Sequence, residues 1–189
     1  MPIAVSAWTR SRRCFMAIVK NDSVIDQEWI TLDAEADLPP GEENIIVPLA
    51  RFKEERETLI GRNGGLGVQL NPGDAPEDLA NDLDRLSMIT VNFPAYTDGR
   101  GYSYARVLRE RLGFKGELRA IGDVLRDQIL YMHRCGFDAY ELKNDDDVSL
   151  TKVRAALKEM TVYYQPTGDG RVTAASLRER RRAALKSAS

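Results

Sequence analysis

Residues 88–121 decide the fold, because the stretch MITVNFPAYTDGRGYSYARVLRERLGFKGELRAI holds a complete strand–helix–strand unit. Apolar and polar residues alternate at 88–93 and again at 117–121, which predicts two strands. Between them, residues 104–112 have the pattern of a helix that Gly113 ends. Two strands joined through a helix form a parallel βα unit.

The same alternation of strand and helix continues on both sides of this unit. The pattern predicts further strands at 17–19, 29–32, 45–50, 66–70 and 139–142, and helices at 52–60, 76–86, 124–135 and from near 145–147 to near 160. Strand spacings of about 20–30 residues are typical of βα units. We therefore expect an α/β protein with a mainly parallel sheet and short N-terminal strands.

Polar residues within four of these strands predict the architecture. Gln69, Asn92, Arg119 and Glu141 alternate with apolar residues, so each strand has one apolar and one polar face. A central strand of a doubly wound sheet is instead apolar on both faces. The pattern favours a partial βα-barrel with helices on one face and these side chains at its inner mouth, with a doubly wound open sheet as the alternative. Five units are too few to close a barrel, so we expect a homo-oligomer.

Charge and composition divide the chain into three expected regions. Residues 1–44 would hold the short strands and a linker, 45–165 the βα units, and 166–189 a basic C-terminal helix or tail. The last region carries six basic and two acidic residues, a net charge of +4, while the whole chain carries −2. A basic run can bind nucleic acid or an acidic partner, but the absence of aromatic residues and the acidic body disfavour nucleic acid. The simpler interpretation, which we favour, is a solvated or frayed C-terminal helix.

The composition also excludes several classes of protein. The 189 residues are 43% hydrophobic, too many for a disordered chain, and no apolar run of about 18 residues predicts a membrane span. One histidine, His133, and two distant cysteines, Cys14 and Cys135, predict neither a metal site nor a Ser–His–Asp triad. No cofactor is predicted, because the glycines at 61–67 precede a strand, whereas a dinucleotide fingerprint follows one. Residues 1–13 lack the apolar core of a signal peptide, so we expect a cytoplasmic protein.

The loop after the strand at 88–93 holds the candidate anion-binding residues. Arg100 can offer a guanidinium, Gly101 free backbone N–H groups, and Ser103 a hydroxyl at the start of a helix. Ligands of open α/β sheets bind at this edge. The same residues also fit an ordinary helix entry with Ser103 as the N-cap, so both interpretations stay open.

Three carboxylates are the candidate catalytic groups, although the residues name no reaction. Asp98 lies in the same loop, Asp123 in the loop after the strand at 117–121, and Glu141 in the last strand. Each could act as an acid or base near the carboxyl ends of the strands. Asp123 equally fits a plain helix N-cap.

Arg119 is the most informative single residue, because it is a charge inside a predicted strand. A buried charge is costly unless it is paired, so Arg119 either forms a structural ion pair with Glu141 or binds a ligand anion. In the second case Arg119 would join Arg100 in an anion site, next to the polar strand residues Gln69 and Asn92.

Several runs of the sequence closely resemble the bacterial domain-of-unknown-function family 934; they are 47–51, 66–68, 93–103, 116–128 and 134–139. The resemblance covers roughly residues 17–142. Members of that family are often labelled probable oxidoreductases of sulfite reduction, and their genes commonly neighbour those for assimilatory sulfite reductase and adenylylated-sulfate reductase. The resemblance therefore implies a role in sulfur assimilation. It implies no catalytic residue, although Cys135 matches a family position.

Two functions are expected from these observations together. The first is an accessory protein of assimilatory sulfate or sulfite reduction that binds a small oxyanion-bearing ligand or a partner such as sulfite reductase. The alternative is an enzyme or oxidoreductase that acts on a small anionic sulfur or phosphate metabolite at the carboxyl ends of the strands. The residues leave open whether the protein is an enzyme.

Overall fold

One mixed β-sheet organises the protein in the computed structural model, which describes residues 17–20, 23–25, 29–142, 150–167 and 169–187. Its strands within these ranges are β1 (Ala17–Lys20), β2 (Ser23–Ile25), β3 (Ile30–Thr31), β4 (Ile45–Pro48), β5 (Leu66–Leu70), β6 (Met88–Phe93), β7 (Glu117–Gly122) and β8 (Ala139–Leu142). Their order across the sheet is β2-β1-β8-β7-β6-β5-β4-β3.

The sheet is mostly parallel and curls into a half-barrel accompanied by helices. Strands β3 to β8 pair in parallel, and β1 runs antiparallel to both β8 and β2. The predicted α/β class and the partial-barrel architecture are confirmed. The short N-terminal strands join the same sheet as the βα units and extend it at both edges.

The helices connect successive strands or follow the last one. They are α1 (Leu49–Glu54), α2 (Arg56–Ile60), α3 (Arg100–Arg106), α4 (Ile129–Cys135), α5 (Leu150–Lys158) and α6 (Ala174–Ser187). Within the described ranges none of these helices combines the length and the apolarity needed to cross a lipid bilayer.

The two faces of the sheet differ in chemistry, as the alternation predicts. One face carries apolar side chains that pack with the helices in a single core; from the central strands these include Val68, Leu70, Ile89, Val91, Phe93, Leu118 and Ala120. The opposite face, called the inner face below, carries the side chains of Gln69, Thr90, Asn92, Arg119 and Glu141. Successive residues of a strand point to opposite faces, so the apolar core fixes which side chains lie on the inner face.

One predicted helix is wrong. Residues 76–86 form two short 3₁₀ turns, Pro76–Leu79 and Leu83–Arg85, instead of a continuous helix. Asp82 lies between them with φ −120° and ψ 0°, outside the helical region, and its buried carboxylate accepts hydrogen bonds from Arg56. The turns still bury Leu79 and Leu86, the residues that suggested a helical face.

Three other predicted elements differ from the observed ones in where they begin or end, because the apolar pattern does not fix the backbone conformation at their ends. The strand predicted at 45–50 ends at Pro48, and the helix predicted at 52–60 is broken at Glu55. The helix predicted at 104–112 begins at Arg100 and continues as a π-turn, Val107–Arg111.

The last two predicted helices also differ at their starts. The helix predicted at 124–135 is regular only in α4, after a 3₁₀ turn at Arg126–Gln128, and Gly136 ends it with φ +106° as predicted. The start near 145–147 lies outside the described residues, and α5 is described from Leu150.

The contact between α3 and β6 fixes the position of the loop that joins them. The Phe93 ring packs edge-on against Tyr102 with the ring centroids 5.3 Å apart. A Cβ atom at Gly101 would lie 2.5 Å from Cζ of the same ring. Glycine at this position therefore lets the helix approach the strand closely.

We expect Gly101→Ala to destabilise the fold by about 1–3 kcal/mol, because the added methyl overlaps the buried Phe93 ring. Thermal unfolding measures this, at about 2–4 °C per kcal/mol for a chain of this size. Gly99→Ala is the matched control, because its Cβ would meet no atom closer than 3.9 Å. Equal effects of the two substitutions would contradict the close packing described here.

Candidate functional site

Neighbouring strands bring the predicted polar residues together on the inner face. In the strand register Gln69 lies beside Thr90, and Thr90 lies beside Arg119. One step towards the carboxyl ends, Asn92 lies on the same face of β6. The structure thus places three of the four predicted polar residues side by side, with Thr90 at the centre.

The predicted ion pair of Arg119 has a different partner from the one expected. Arg119 donates from Nε to Oε1 of Glu117 at 2.8 Å, and its Nη2 lies 2.7 Å from the same oxygen. Lys20 on β1 binds the other oxygen of Glu117. The prediction of a pair with Glu141 is therefore corrected: Glu117, two residues before Arg119 on the same strand and face, bridges two cations. The Arg119 side chain is 2% exposed.

Glu141 contributes a partly buried carboxyl group to the same face. Burial raises the pKa of Glu141 above its ordinary value, while the positive charge of Arg119 opposes that rise. Glu141 therefore retains a proton at higher pH than a surface glutamate does. In the strand register Arg119 lies beside Ala139, so Glu141 is on the same face of the adjacent strand, as the alternation predicts.

Three amide side chains form a connected group at the carboxyl ends of β5 and β6. Asn71 Oδ1 accepts hydrogen bonds from Gln69 Nε2 and from Asn92 Nδ2, both at 3.1 Å. The backbone N–H of Asn71 donates to Asp74. The shared acceptor fixes the orientation of both amides on the rigid strands.

Thr90 carries an unusual buried hydroxyl. The residue is 1% exposed, and within the described part of the chain its Oγ1 has no hydrogen-bond partner. Leaving a buried hydroxyl unsatisfied costs about 1–3 kcal/mol. Sequence reasoning missed Thr90, because threonine is an ordinary strand residue; its place on the polar face, between Met88 and Asn92, was the available signal.

Arg100 and Asp98, in the loop after β6, bind each other. Nε and Nη2 of Arg100 donate to the two carboxylate oxygens of Asp98 at 3.0 and 2.7 Å. The hydrogen bonds from Arg100 lower the pKa of Asp98. The Arg100 side chain of this pair is exposed, whereas the Arg119 side chain of the inner-face pair is buried.

Gly101 and Ser103 occupy positions that differ from the predicted anion cradle. Gly101 is buried against Phe93. Ser103 lies inside α3 with an exposed side chain, and the residue that precedes the helix is Gly99, so the N-cap interpretation of Ser103 is wrong.

Asp123 connects the loops that follow β6 and β7. Its backbone N–H donates to the Phe93 carbonyl at 2.7 Å, and its carboxylate accepts from the Tyr96 backbone N–H. Asp123 is therefore not the predicted helix N-cap; the turn before α4 begins after Leu125. Gly122 precedes it with φ +96°, and a Cβ there would lie 2.7 Å from Asn92 Oδ1. The loop and the amide group thus meet at Gly122.

The structure brings no metal-binding cluster together among its described residues: it contains no group of three or more His, Cys, Asp or Glu side chains placed for a metal ion. Cys135 is buried in the core, and burial raises the pKa of its thiol. A protonated, buried thiol is a poor nucleophile, so this environment suits a cysteine that packs in the core.

We expect Arg119→Leu to lower the free energy of unfolding by about 3–5 kcal/mol, because among the described side chains it leaves the buried Glu117 carboxylate with the partly exposed Lys20 as its one ion-pair partner. A loss of about 3 kcal/mol corresponds to a midpoint about 6–12 °C lower in thermal unfolding.

The matched control is Arg100→Leu, which removes an exposed pair and should change the midpoint little. The double variant Glu117→Gln/Arg119→Leu should recover much of the loss, because both charges are gone. A midpoint unchanged by Arg119→Leu would contradict the buried ion pair.

Comparison with known proteins places this fold in a family. A search of curated protein sequences returns no match. The family model described as "Bacterial protein of unknown function (DUF934)" matches residues 67–175, more than half of the chain, from β5 to the first turn of α6. The match includes β5 to β8 and the loops that follow β5, β6 and β7. It begins at residue 67 and ends at residue 175, so the expected resemblance over residues 17–66 lies outside it, while the match extends beyond residue 142. The chain belongs to the DUF934 family of bacterial proteins.

Proposed function

We propose that this protein binds a small oxyanion-bearing ligand on the inner face of the half-barrel and acts as an accessory protein of sulfite reduction. One observation carries the proposal: the buried Thr90 hydroxyl has no partner among the described residues. Buried polar groups in folded proteins are nearly always hydrogen-bonded, and an exception calls for an explanation such as a bound ion or water molecule.

Position favours a ligand as the partner of this hydroxyl. Thr90 lies at the centre of the polar group, with Gln69 on one neighbouring strand and Arg119 on the other. Residues on strands are held more precisely than residues on loops, which suits a binding site. A hydroxyl can donate one hydrogen bond to an oxyanion.

The balance of charge on the inner face favours an anion. Lys20 and Arg119 both bind the carboxylate of Glu117, so two cationic side chains lie together on this face. Burial raises the pKa of Glu141 on the same face, so its carboxyl group is protonated up to a higher pH than that of a surface glutamate. An anion near the two cations would gain Coulomb energy in a poorly hydrated site.

The amide group supplies neutral hydrogen-bond donors beside these charges. Gln69 and Asn92 each use one N–H on Asn71, so each amide nitrogen has a second N–H to offer, and Asn71 adds its own amide nitrogen. Oxyanions accept several hydrogen bonds at once, and preorganised donors bind them without reorganisation.

The pathway assignment rests on the sequence resemblance, which implies sulfur assimilation. Sulfite and sulfate are small oxyanions, so the pathway and the chemistry of the inner face agree. Arg100 and Asp98, in the loop after β6, neutralise each other's charge. The proposal therefore relies on the inner face and not on that loop.

Thr90→Val tests the proposal, because valine has the shape of threonine and lacks the hydroxyl. We expect the variant to be as stable as the wild type or more stable by up to about 1 kcal/mol, since an unsatisfied group is removed. Sulfite or sulfate binding, measured by anaerobic titration calorimetry, should weaken at least about tenfold, the loss of one hydrogen bond to a charged group.

Thr173→Val is the matched control. Thr173 is also buried, but its hydroxyl accepts a hydrogen bond from the Ser176 backbone, so its loss should destabilise the protein and leave binding unchanged. The proposal fails if neither anion binds at millimolar concentration, or if Thr90→Val and Thr173→Val have the same effects. Normal growth of a deletion strain on sulfate would contradict the pathway assignment alone.

A further inference from the structure

We propose that two copies of this chain associate through opposite charges, with the basic helix α6 of one copy on the acidic segment 33–44 of the other. This inference is independent of the ligand site. It rests on two charged surfaces of opposite sign, both without ion-pair partners within the described residues.

Helix α6 is a basic helix that extends from the body of the protein. Residues 177–186 contain five basic residues and one acid, and every one of them is exposed. Arg178, Arg182 and Lys186 are four residues apart and form a row along one side of the helix. Leu177 and Leu185, 41% and 65% exposed, lie in the adjacent row, so the surface combines charge with apolar contact area.

The base of α6 is firmly attached, although residues 177–186 of the helix are exposed. Thr173 and Ser176 cap its first turn with reciprocal hydrogen bonds. Just before it, Arg134 of α4 stacks 3.7 Å above the Tyr163 ring and pairs with Asp169. An isolated 14-residue helix is marginally stable in water, so an anchored and uncovered helix indicates a surface that binds a partner.

The acidic segment 33–44 is the complementary surface. It contains five carboxylates and no basic residue: Asp33, Glu35, Asp37, Glu42 and Glu43. All five residues are exposed, and none forms an ion pair with another described residue. The five carboxylates of this segment equal in number the five basic residues of α6.

Backbone contacts hold the acidic segment in place. Arg62 donates to the carbonyls of Pro39, Pro40 and Glu43, and the Gly64 backbone N–H donates to the Gly41 carbonyl at 2.7 Å. Carbonyl groups therefore occupy Nη1 and Nη2 of Arg62, and the five carboxylate residues are exposed on a loop that these contacts hold. Both surfaces are thus preorganised, which lowers the entropic cost of association.

The two surfaces lie towards opposite ends of the sheet, which favours pairing between copies. The acidic segment joins β3 to β4 at one edge, whereas the base of α6 is held by α4, between β7 and β8 in the chain. Strands β4 and β8 are about 19 Å apart at about 4.8 Å per strand. A two-fold axis would place both helices on both acidic segments at once, giving a closed dimer.

Sedimentation equilibrium of the full chain tests the proposal. We expect a dimer at about 0.1 M salt, where charges act over about 10 Å, and at least tenfold weaker association at about 1 M, where they act over about 3 Å. Two charge-reversed variants, Arg178→Glu/Arg182→Glu and Glu42→Lys/Glu43→Lys, should each be monomeric. An equimolar mixture of the two should form a heterodimer, because both contacts are again attractive.

The matched control is Arg111→Glu/Lys115→Glu, which makes the same change in net charge at exposed positions of the body and should leave the dimer intact. Circular dichroism checks that all variants are folded. The proposal is wrong if the wild type is monomeric at low salt, including the case in which α6 instead binds vesicles of anionic lipid. It is also wrong if the mixture of reversed variants stays monomeric.

Discussion

Glu117, at the amino end of β7, binds both Arg119 and Lys20 on the inner face, and this contact links the N-terminal strand β1 to the βα units. The outer face of the half-barrel carries the apolar side chains of the core, and the inner face carries charged side chains. A charge that is removed from water must be paired, so β1 has to lie where Lys20 reaches Glu117. The antiparallel N-terminal strand is therefore tied to the parallel βα units by an ion pair as well as by its backbone ladder.

The residues that stabilise the fold and those proposed to bind a ligand lie on different faces of the sheet. The apolar face and its helices form the core, while the inner face carries polar groups that the packing of the core does not require. That face carries the Thr90 hydroxyl, which has no partner among the described residues, the shared acceptor Asn71 at its carboxyl edge, and Glu141, whose pKa burial raises. Natural proteins retain such costly groups chiefly where activity requires them. The loop after β6, in contrast, satisfies its own charges through Arg100 and Asp98.

The architecture could be predicted from the sequence because the alternation of apolar and polar residues along a strand indicates which of its faces is buried. Gln69, Asn92, Arg119 and Glu141 were placed correctly on one face, since that placement needs only the period of two. The partner of Arg119 was missed, because Glu117 could be recognised only from side-chain geometry. Thr90 was missed since a threonine in a strand has no sequence signature of an unsatisfied hydroxyl. The helix predicted at 76–86 failed because the buried pair of Asp82 with Arg56, distant in sequence, fixes the local backbone.

The central claim is that the inner face around Thr90 is a ligand-binding surface. Nuclear magnetic resonance of the protein labelled at threonine methyl groups tests it most directly, during titration with sulfite under anaerobic conditions. The claim predicts that the Thr90 methyl resonance shifts in a saturable manner, together with the side-chain Nε–H of Arg119, while the Thr173 methyl resonance does not move. Unchanged Thr90 and Arg119 signals at saturating sulfite and sulfate, or equal shifts at Thr90 and Thr173, would contradict it.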